Sequence, residues 1–253
     1  MKLRLGLLLL FFLVGCSKNE TPVSGPPKQA AAKIDPATTS TISGIITFDG
    51  EPPKPPPIDM SQDPACVMGK VPPNYGEAYA VNKGHLQNVY VYIKEGLIWD
   101  VIAPPPPPRA VLDQKGCKYV PHVLGMMVGQ QLEVRNSDPA LHNIHSMAHE
   151  NSGWNVSQYP GGDAMEKTFD KPELMIPIQC NNHPWMKMYV NVSTHPFFAV
   201  TDANGKFTIS GLPPGTYTLA ALHEKMGEKT IQITVGPKES KASSFSFSSS
   251  DAK

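Results

Sequence analysis

Proline and glycine occur throughout the chain, and their frequency limits the folds that are open to it. The 253 residues include 27 prolines and 20 glycines, and the apolar runs between them are short. Proline interrupts helices and central strands, and glycine is typical of turns. In several short runs two kinds of side chain alternate, as aliphatic and tyrosine side chains do over 89–93, and this two-residue period is typical of a strand. The sequence therefore predicts an all-β protein built as sandwiches, with no long helix after its first residues.

The first 16 residues, "MKLRLGLLLLFFLVGC", have the composition of an export signal. Two basic residues precede an apolar run that is too short to span a bilayer, which indicates a signal peptide over 1–15. The ending "LVGC" resembles a bacterial lipobox, and this resemblance implies that Cys16 becomes the lipidated first residue. The protein is then expected in the bacterial cell envelope, anchored to the outer membrane and facing the periplasm. A plain signal peptide with an incidental cysteine is the alternative.

Two stretches of the chain have no hydrophobic pattern. Residues 16–40 predict a disordered tether between the lipid and the folded part. Residues 237–253 predict a disordered tail. The folded part is therefore expected between them.

The four cysteines divide according to their surroundings. Cys16 is assigned to the lipid, and Cys180 lies among other soft metal ligands. In an exported protein the two that remain, Cys66 and Cys117, are expected to form a disulfide. Two free buried thiols are the alternative.

The stretch "QCNNHPWMKMY", residues 179–189, places several soft donors in one loop. Cys180, His183 and Met186 offer a thiolate, an imidazole and a thioether. Zinc rarely takes a thioether, whereas one Cys, two His and a weak axial Met suit the trigonal copper site of electron-transfer proteins. The loop therefore predicts a copper site that needs a second histidine from elsewhere.

The segment "NSDPALHNIHS", residues 136–146, follows a predicted strand and offers that histidine. His142 and His145 are both candidates. Asn143 is placed to hydrogen-bond across to the ligand loop.

These two segments, "NSDPALHNIH" and "CNNHPWM", resemble those of the cupredoxins, the blue copper proteins, and most closely the amicyanin type. The likeness covers roughly 110–193, about a third of the chain. It implies a Greek-key sandwich with one type 1 copper, and it implies that Asn143 clamps the loop and that His145 packs below the site. The ligands that it implies are His142, Cys180, His183 and Met186.

The axial ligand and the electron port depend on the loop type. Met186 lies three residues after His183, as in the amicyanin type, and Met188 lies five after it, as in the plastocyanin type; "HPWM" favours Met186. His183 is expected to expose its imidazole edge as the electron port. An apolar patch of Pro184, Trp185 and Leu141, with Met126 or Met127, is expected around it.

The stretch "VTDANGKFTISGLPPGTYTLAALHE", residues 200–224, resembles the carboxypeptidase regulatory-like, or transthyretin-like, β-sandwich. "ISGIITFDG", residues 42–50, is similar to the first strand of the same fold. We therefore predict one discontinuous sandwich over 41–103 and 194–236, with the cupredoxin segment 110–193 inserted. Two consecutive domains are the alternative.

Together these features predict an exported, lipid-anchored copper protein that carries single electrons between a protein donor and a protein acceptor, each bound transiently. An enzyme is not expected, since the sequence offers no second ligand set for a substrate-binding copper. Lys and Arg together number 22, as do Asp and Glu, so no nucleic acid partner is expected. One alternative is copper handling, supported by four methionines (Met126, Met127, Met186, Met188). The other is a non-redox scaffold or adhesion protein.

Overall fold

The structure, a computed structural model, describes residues 34–68, 74–97 and 108–252. Its regular structure is almost entirely strand, which confirms the all-β prediction. The strands are β1 Ser40–Asp49, β2 Val81–Asn82, β3 His85–Leu86, β4 Tyr90–Glu95, β5 Ala110–Gln114, β6 Tyr119–Val120, β7 Val123–Met127, β8 Leu132–Asn136, β9 His142–Ser146, β10 Asn155–Gln158, β11 Met165–Lys167, β12 Glu173–Gln179, β13 Lys187–Ser193, β14 Phe198–Val200, β15 Lys206–Leu212, β16 Gly215–His223, β17 Gly227–Val235 and β18 Ser240–Ser248. Short 3-10 helices occupy Pro64–Cys66 and Ser249–Asp251.

The predicted signal peptide, Cys16 and residues 16–33 of the tether lie outside the described residues. Within the described part of the chain, no helix has the length and apolar character needed to cross a membrane.

The first sandwich contains strands from both ends of the chain. One sheet has β1 at its centre, paired antiparallel with β15 and β3 and parallel with β18. The other runs in the order β14, β4, β16, β17. Alternate side chains of both sheets meet in a buried apolar core.

Strand β4 has both of its faces buried. Val91 and Ile93 point into the core of the first sandwich. Tyr90 and Tyr92 form a separate apolar cluster with Tyr189 of β13. The two-sided pattern in the sequence is therefore that of a strand at the contact between two sandwiches.

The tail is ordered, so the prediction of a disordered 237–253 is wrong. Phe245 and Phe247 of β18 alternate with serines and are buried in the first core. Gly44 of β1 makes the pairing possible, since a Cβ at that position would lie 1.5 Å from the Ser243 carbonyl oxygen. Two aromatic side chains thus outweigh a composition that is otherwise polar.

The end of the predicted tether is also ordered. Asp35 accepts a hydrogen bond from the Ala37 amide at 2.9 Å, and Ile34 packs against the first core. Ser40 already belongs to β1. The disordered prediction for 16–40 is therefore wrong over 34–40.

The second sandwich is formed by β5 to β13, between β4 and β14 in the chain. Its sheets run β10, β9, β12, β13, β7 and β11, β8, β5, β6, with parallel pairing of β13 to β7 and of β5 to β8. They enclose a second apolar core. This core also receives Met60 and Cys66, so these residues do not belong to the first sandwich as the boundary 41–103 implied. The reason is the predicted disulfide, which the structure contains, between Cys66 and Cys117.

Candidate metal centre

The candidate ligands come from two neighbouring strands and the loop between β12 and β13. His142 begins β9, and Cys180 directly follows β12, which pairs with β9. The Cys180 amide donates to the Met186 carbonyl at 3.1 Å, and the Met186 amide donates to the His183 carbonyl at 2.9 Å. These two bonds close the loop tightly, so its cysteine, histidine and methionine are held in one small region.

Three of the predicted ligands converge. The Nδ1 atoms of His142 and His183 are 3.0 Å apart, and the Cys180 sulfur lies 3.6 Å from the His183 Nδ1. The three side chains offer donor atoms that all lie within 4.8 Å of one another. His142 is 0% exposed, His183 is 2% exposed and Cys180 is 3% exposed, so all three are buried.

Both imidazoles are anchored at their other nitrogen by a carboxylate. The His142 Nε2 lies 2.9 Å from Asp138 Oδ2, and the His183 Nε2 lies 2.9 Å from Asp63 Oδ2. A carboxylate accepts a hydrogen bond, so each Nε2 carries a proton and each Nδ1 is the potential metal ligand. The lone pairs of two Nδ1 atoms and a sulfur this close together would repel one another unless a proton or a metal ion lies among them. Nitrogen and thiolate donors of this kind fit a soft metal ion such as copper.

The electrostatics of the site favour the thiolate form of Cys180. Burial raises the pKa of this thiol, but hydrogen bonding to His142 and to backbone amides including that of Asn143 outweighs burial and brings the pKa to about 6. Burial lowers the pKa of His142, but Asp138 and the Cys180 sulfur together raise it to about 9. At neutral pH His142 therefore carries a second proton, on Nδ1 beside the thiolate, and a metal ion that binds there releases this proton.

Asn143 lies between the two ligand segments. Its side-chain oxygen accepts from the Asn181 amide at 3.3 Å, and its own amide donates to the Cys180 sulfur at 3.3 Å. Its side-chain nitrogen donates to Asn155 at 2.6 Å. This is the geometry that a clamp on the ligand loop requires.

The two candidate axial methionines are both buried. Met186 is 1% exposed within the closed loop, and Met188 is 0% exposed in β13, opposite Ile178. Both belong to the second core. His145 is half-buried, its Nδ1 lies 3.2 Å from Asn181 Oδ1, and it is not one of the three converging donors.

The expectation that His183 exposes its imidazole edge is wrong. The segment that precedes Cys66 covers it, with Asp63 at the His183 Nε2 and the Cys66 sulfur 3.7 Å from the same atom. The disulfide to Cys117 holds this segment in place.

The other residues of the expected patch remain near the surface. Leu141 is 37% exposed, Pro184 is exposed and Trp185 is half-buried. Asn182 donates to the Leu141 carbonyl at 3.4 Å, which brings this residue beside the ligand loop. We call Leu141, Pro184 and Trp185 the loop patch. Met126 and Met127 are buried in β7 and do not join it.

Asp63 and Asp138 are the site residues that the sequence prediction missed. Asp138 lies within "NSDPALH", four residues before His142, so the motif itself contained it. Asp63 precedes Cys66 by three residues, and the predicted disulfide was the available signal that this segment approaches the site.

One protein-family model matches part of the sequence. Residues 182–248 match the carboxypeptidase regulatory-like domain family, a span that runs from the ligand loop to the end of β18. No curated protein matches the sequence.

Among solved structures, the chain is similar to copper proteins over about a third of its length. A purple cupredoxin from Nitrosopumilus maritimus is 25% identical, with 33% of this chain and 99% of that chain covered and a TM-score of 0.29. An oxidised proline-to-alanine mutant of amicyanin is 25% identical, with 34% and 82% covered and a TM-score of 0.30. A copper-containing nitrite reductase from Thermus scotoductus SA-01 is 22% identical, with a TM-score of 0.32; 39% of this chain is covered, but only 25% of the reductase.

Proposed function

We propose that this protein is an exported, lipid-anchored copper protein that carries single electrons in the bacterial cell envelope. One type 1 copper ion would be held by His142, Cys180, His183 and Met186. The observation that carries the proposal is the convergence of two buried Nδ1 atoms and a buried thiolate, with both Nε2 atoms anchored by carboxylates.

A bound copper ion supplies a one-electron couple between Cu(I) and Cu(II). The chain keeps the ligands from moving when the charge changes. Asp138 and Asp63 hold the two imidazoles, and the loop bonds between Cys180 and Met186 hold the sulfur donors. Residues fixed in this way favour rapid electron transfer, because little rearrangement accompanies it.

Burial supports a carrier over an enzyme. The two imidazoles and the thiol are at most 3% exposed, so a substrate in solution does not contact them directly in this arrangement. Within 34–68, 74–97 and 108–252, every other cluster of three potential metal ligands shares His142 or His183 with this centre.

Electrons would enter and leave through the loop patch. The Trp185 ring lies 5.1 Å from the His183 ring, and its indole nitrogen donates to the Cys117 carbonyl at 3.0 Å. Trp185 therefore links the covered imidazole to the surface, where Leu141 and Pro184 offer apolar contact. Such a small patch suits a weak, transient encounter with a redox protein.

The test is to load the protein with one equivalent of copper, reduce it and reoxidise it in the presence of a chelator. We expect reversible one-electron cycling with the metal retained. Loss of copper to the chelator on the same timescale would instead favour copper handling. The four methionines that suggested that function (Met126, Met127, Met186, Met188) are all buried, which argues against a role in passing copper at the surface.

Two half-buried tryptophans offer a matched test of the route. Trp185→Ala should slow electron exchange with a small oxidant, whereas Trp154→Ala, which removes a tryptophan packed on Phe169, should not. Equal rates in both variants would contradict the role of the loop patch.

A further inference from the structure

Asp63 makes two different hydrogen bonds with its two carboxylate oxygens. Oδ1 accepts from the Ala65 amide at 2.8 Å, at the start of the short helix Pro64–Cys66. Oδ2 lies 2.9 Å from the Nε2 of His183. The side chain thus belongs both to the covering segment and to the metal centre, although 120 residues separate it from His183.

The second oxygen determines which nitrogen of His183 carries its proton. A carboxylate oxygen accepts only, so Nε2 must donate to it, and in the neutral ring Nδ1 is then the acceptor. Nδ1 is the atom that faces His142 and Cys180. The Asp63 carboxylate therefore prepares His183 to bind a metal at the correct nitrogen.

A second carboxylate does the same for the other histidine and is joined to the first through the disulfide. Asp138 accepts from the amides of Gly116 and Cys117 at 2.6 and 2.8 Å, and it contacts His142 through Nε2. Cys117 is bonded to Cys66, three residues from Asp63. The segment that covers the site and the loop beneath it thus form one connected support.

We infer that Asp63 is a positioning residue for the metal centre, which holds the proton of His183 on Nε2 and leaves Nδ1 available as a ligand. The inference deepens the proposed function and rests on it for the identity of the metal. The position of the His183 proton can be measured in the metal-free protein.

The isosteric change Asp63→Asn gives a specific test. The Ala65 amide needs an acceptor, so the amide oxygen of the asparagine would take the place of Oδ1 and its NH2 group would face His183. A donor against Nε2 would move the proton of the ring to Nδ1, the atom that the metal needs. We expect the nitrogen chemical shifts of His183 in metal-free protein to show this reversal.

The affinity for copper provides the second measurement. Cu(I) affinity, measured by competition with a coloured chelator, should fall on the order of 10- to 100-fold in Asp63→Asn, as for other residues that orient a metal ligand. The matched control is Asp59→Asn. Asp59 accepts from the Ser61 amide at 2.9 Å in the same segment but is exposed and makes no contact with His183. It should change neither the proton position nor the affinity.

Two outcomes would overturn the inference. One is a proton on Nδ1 of His183 in the unchanged protein, a measurement that stays decisive even if Asp63→Asn does not fold. The other is a folded Asp63→Asn protein in which proton position and Cu(I) affinity are both unchanged. A wild-type protein with the proton on Nε2 that binds copper without cycling electrons would overturn the proposed function and leave the role of Asp63 standing.

Discussion

The disulfide between Cys66 and Cys117 should be a major source of stability. The two residues are 51 positions apart in the chain, so the bridge closes a long loop in the unfolded state. In the chain-entropy model a loop of this size corresponds to about 4 kcal/mol at 25 °C. Both sulfurs lie in the second core, so replacing them by alanine leaves only small cavities. We therefore expect Cys66→Ala/Cys117→Ala to lose about 4 kcal/mol of unfolding free energy.

Urea unfolding of the metal-free protein measures this loss. The matched control is Cys180→Ala, which removes a buried thiol that forms no bridge and should cost distinctly less. The double variant should also expose His183 to chemical modification, since the covering segment is no longer fixed. A loss below about 1 kcal/mol, with His183 still protected, would show that packing of Met60 and Asp63 holds the segment without the bridge.

Four further substitutions test other parts of the structure. Met186→Gln should lower the reduction potential, measured by voltammetry, because a harder oxygen donor favours Cu(II). Met188→Ala should leave the potential nearly unchanged and, by opening a cavity in the core, cost about 2–5 kcal/mol of stability in urea unfolding. A potential that shifts only in the Met188 variant would make Met188 the axial ligand. Phe247→Ala should cost about 3–5 kcal/mol by thermal or urea unfolding, because this side chain is 0% exposed in the first core, and a near-neutral change would mean that β18 contributes little. Burial lowers the pKa of His223 from 6.5 to about 4. The neutral ring therefore contributes on the order of 3 kcal/mol to the free energy of unfolding above pH 6.5, and this contribution is lost as the pH falls toward 4. His223→Gln should therefore flatten the acid limb of stability against pH, and an unchanged limb would contradict this origin.

The candidate ligands were chosen in two ways, from the residue types in one loop and from the resemblance to the cupredoxins. Cys180 and His183 lie in one short loop, and a tight loop brings their donor atoms together wherever it is placed. His142 and His145 were both candidates after the preceding strand, and the resemblance selected His142, which the pairing of β9 with β12 brings to Cys180.

The covering segment could not be predicted in the same way. Asp63 reaches His183 across 120 residues of sequence, and the disulfide and the packing of Met60 on the second core help to bring it there. Alternation of two phenylalanines in a serine-rich stretch was likewise too weak a signal for β18, whose stability depends on its pairing with β1. In both cases contacts between distant parts of the chain outweigh local composition.

The visible spectrum of the protein loaded with one equivalent of Cu(II) tests the copper centre most directly. If Cys180 binds the metal as a thiolate beside His142 and His183, the protein should be intensely blue or green. Cys180→Ser should bind copper without that colour, while Met188→Ala, which leaves the three converging donors in place, should keep it. A colourless wild-type protein that binds one copper ion would contradict the assignment of this site as a type 1 copper centre.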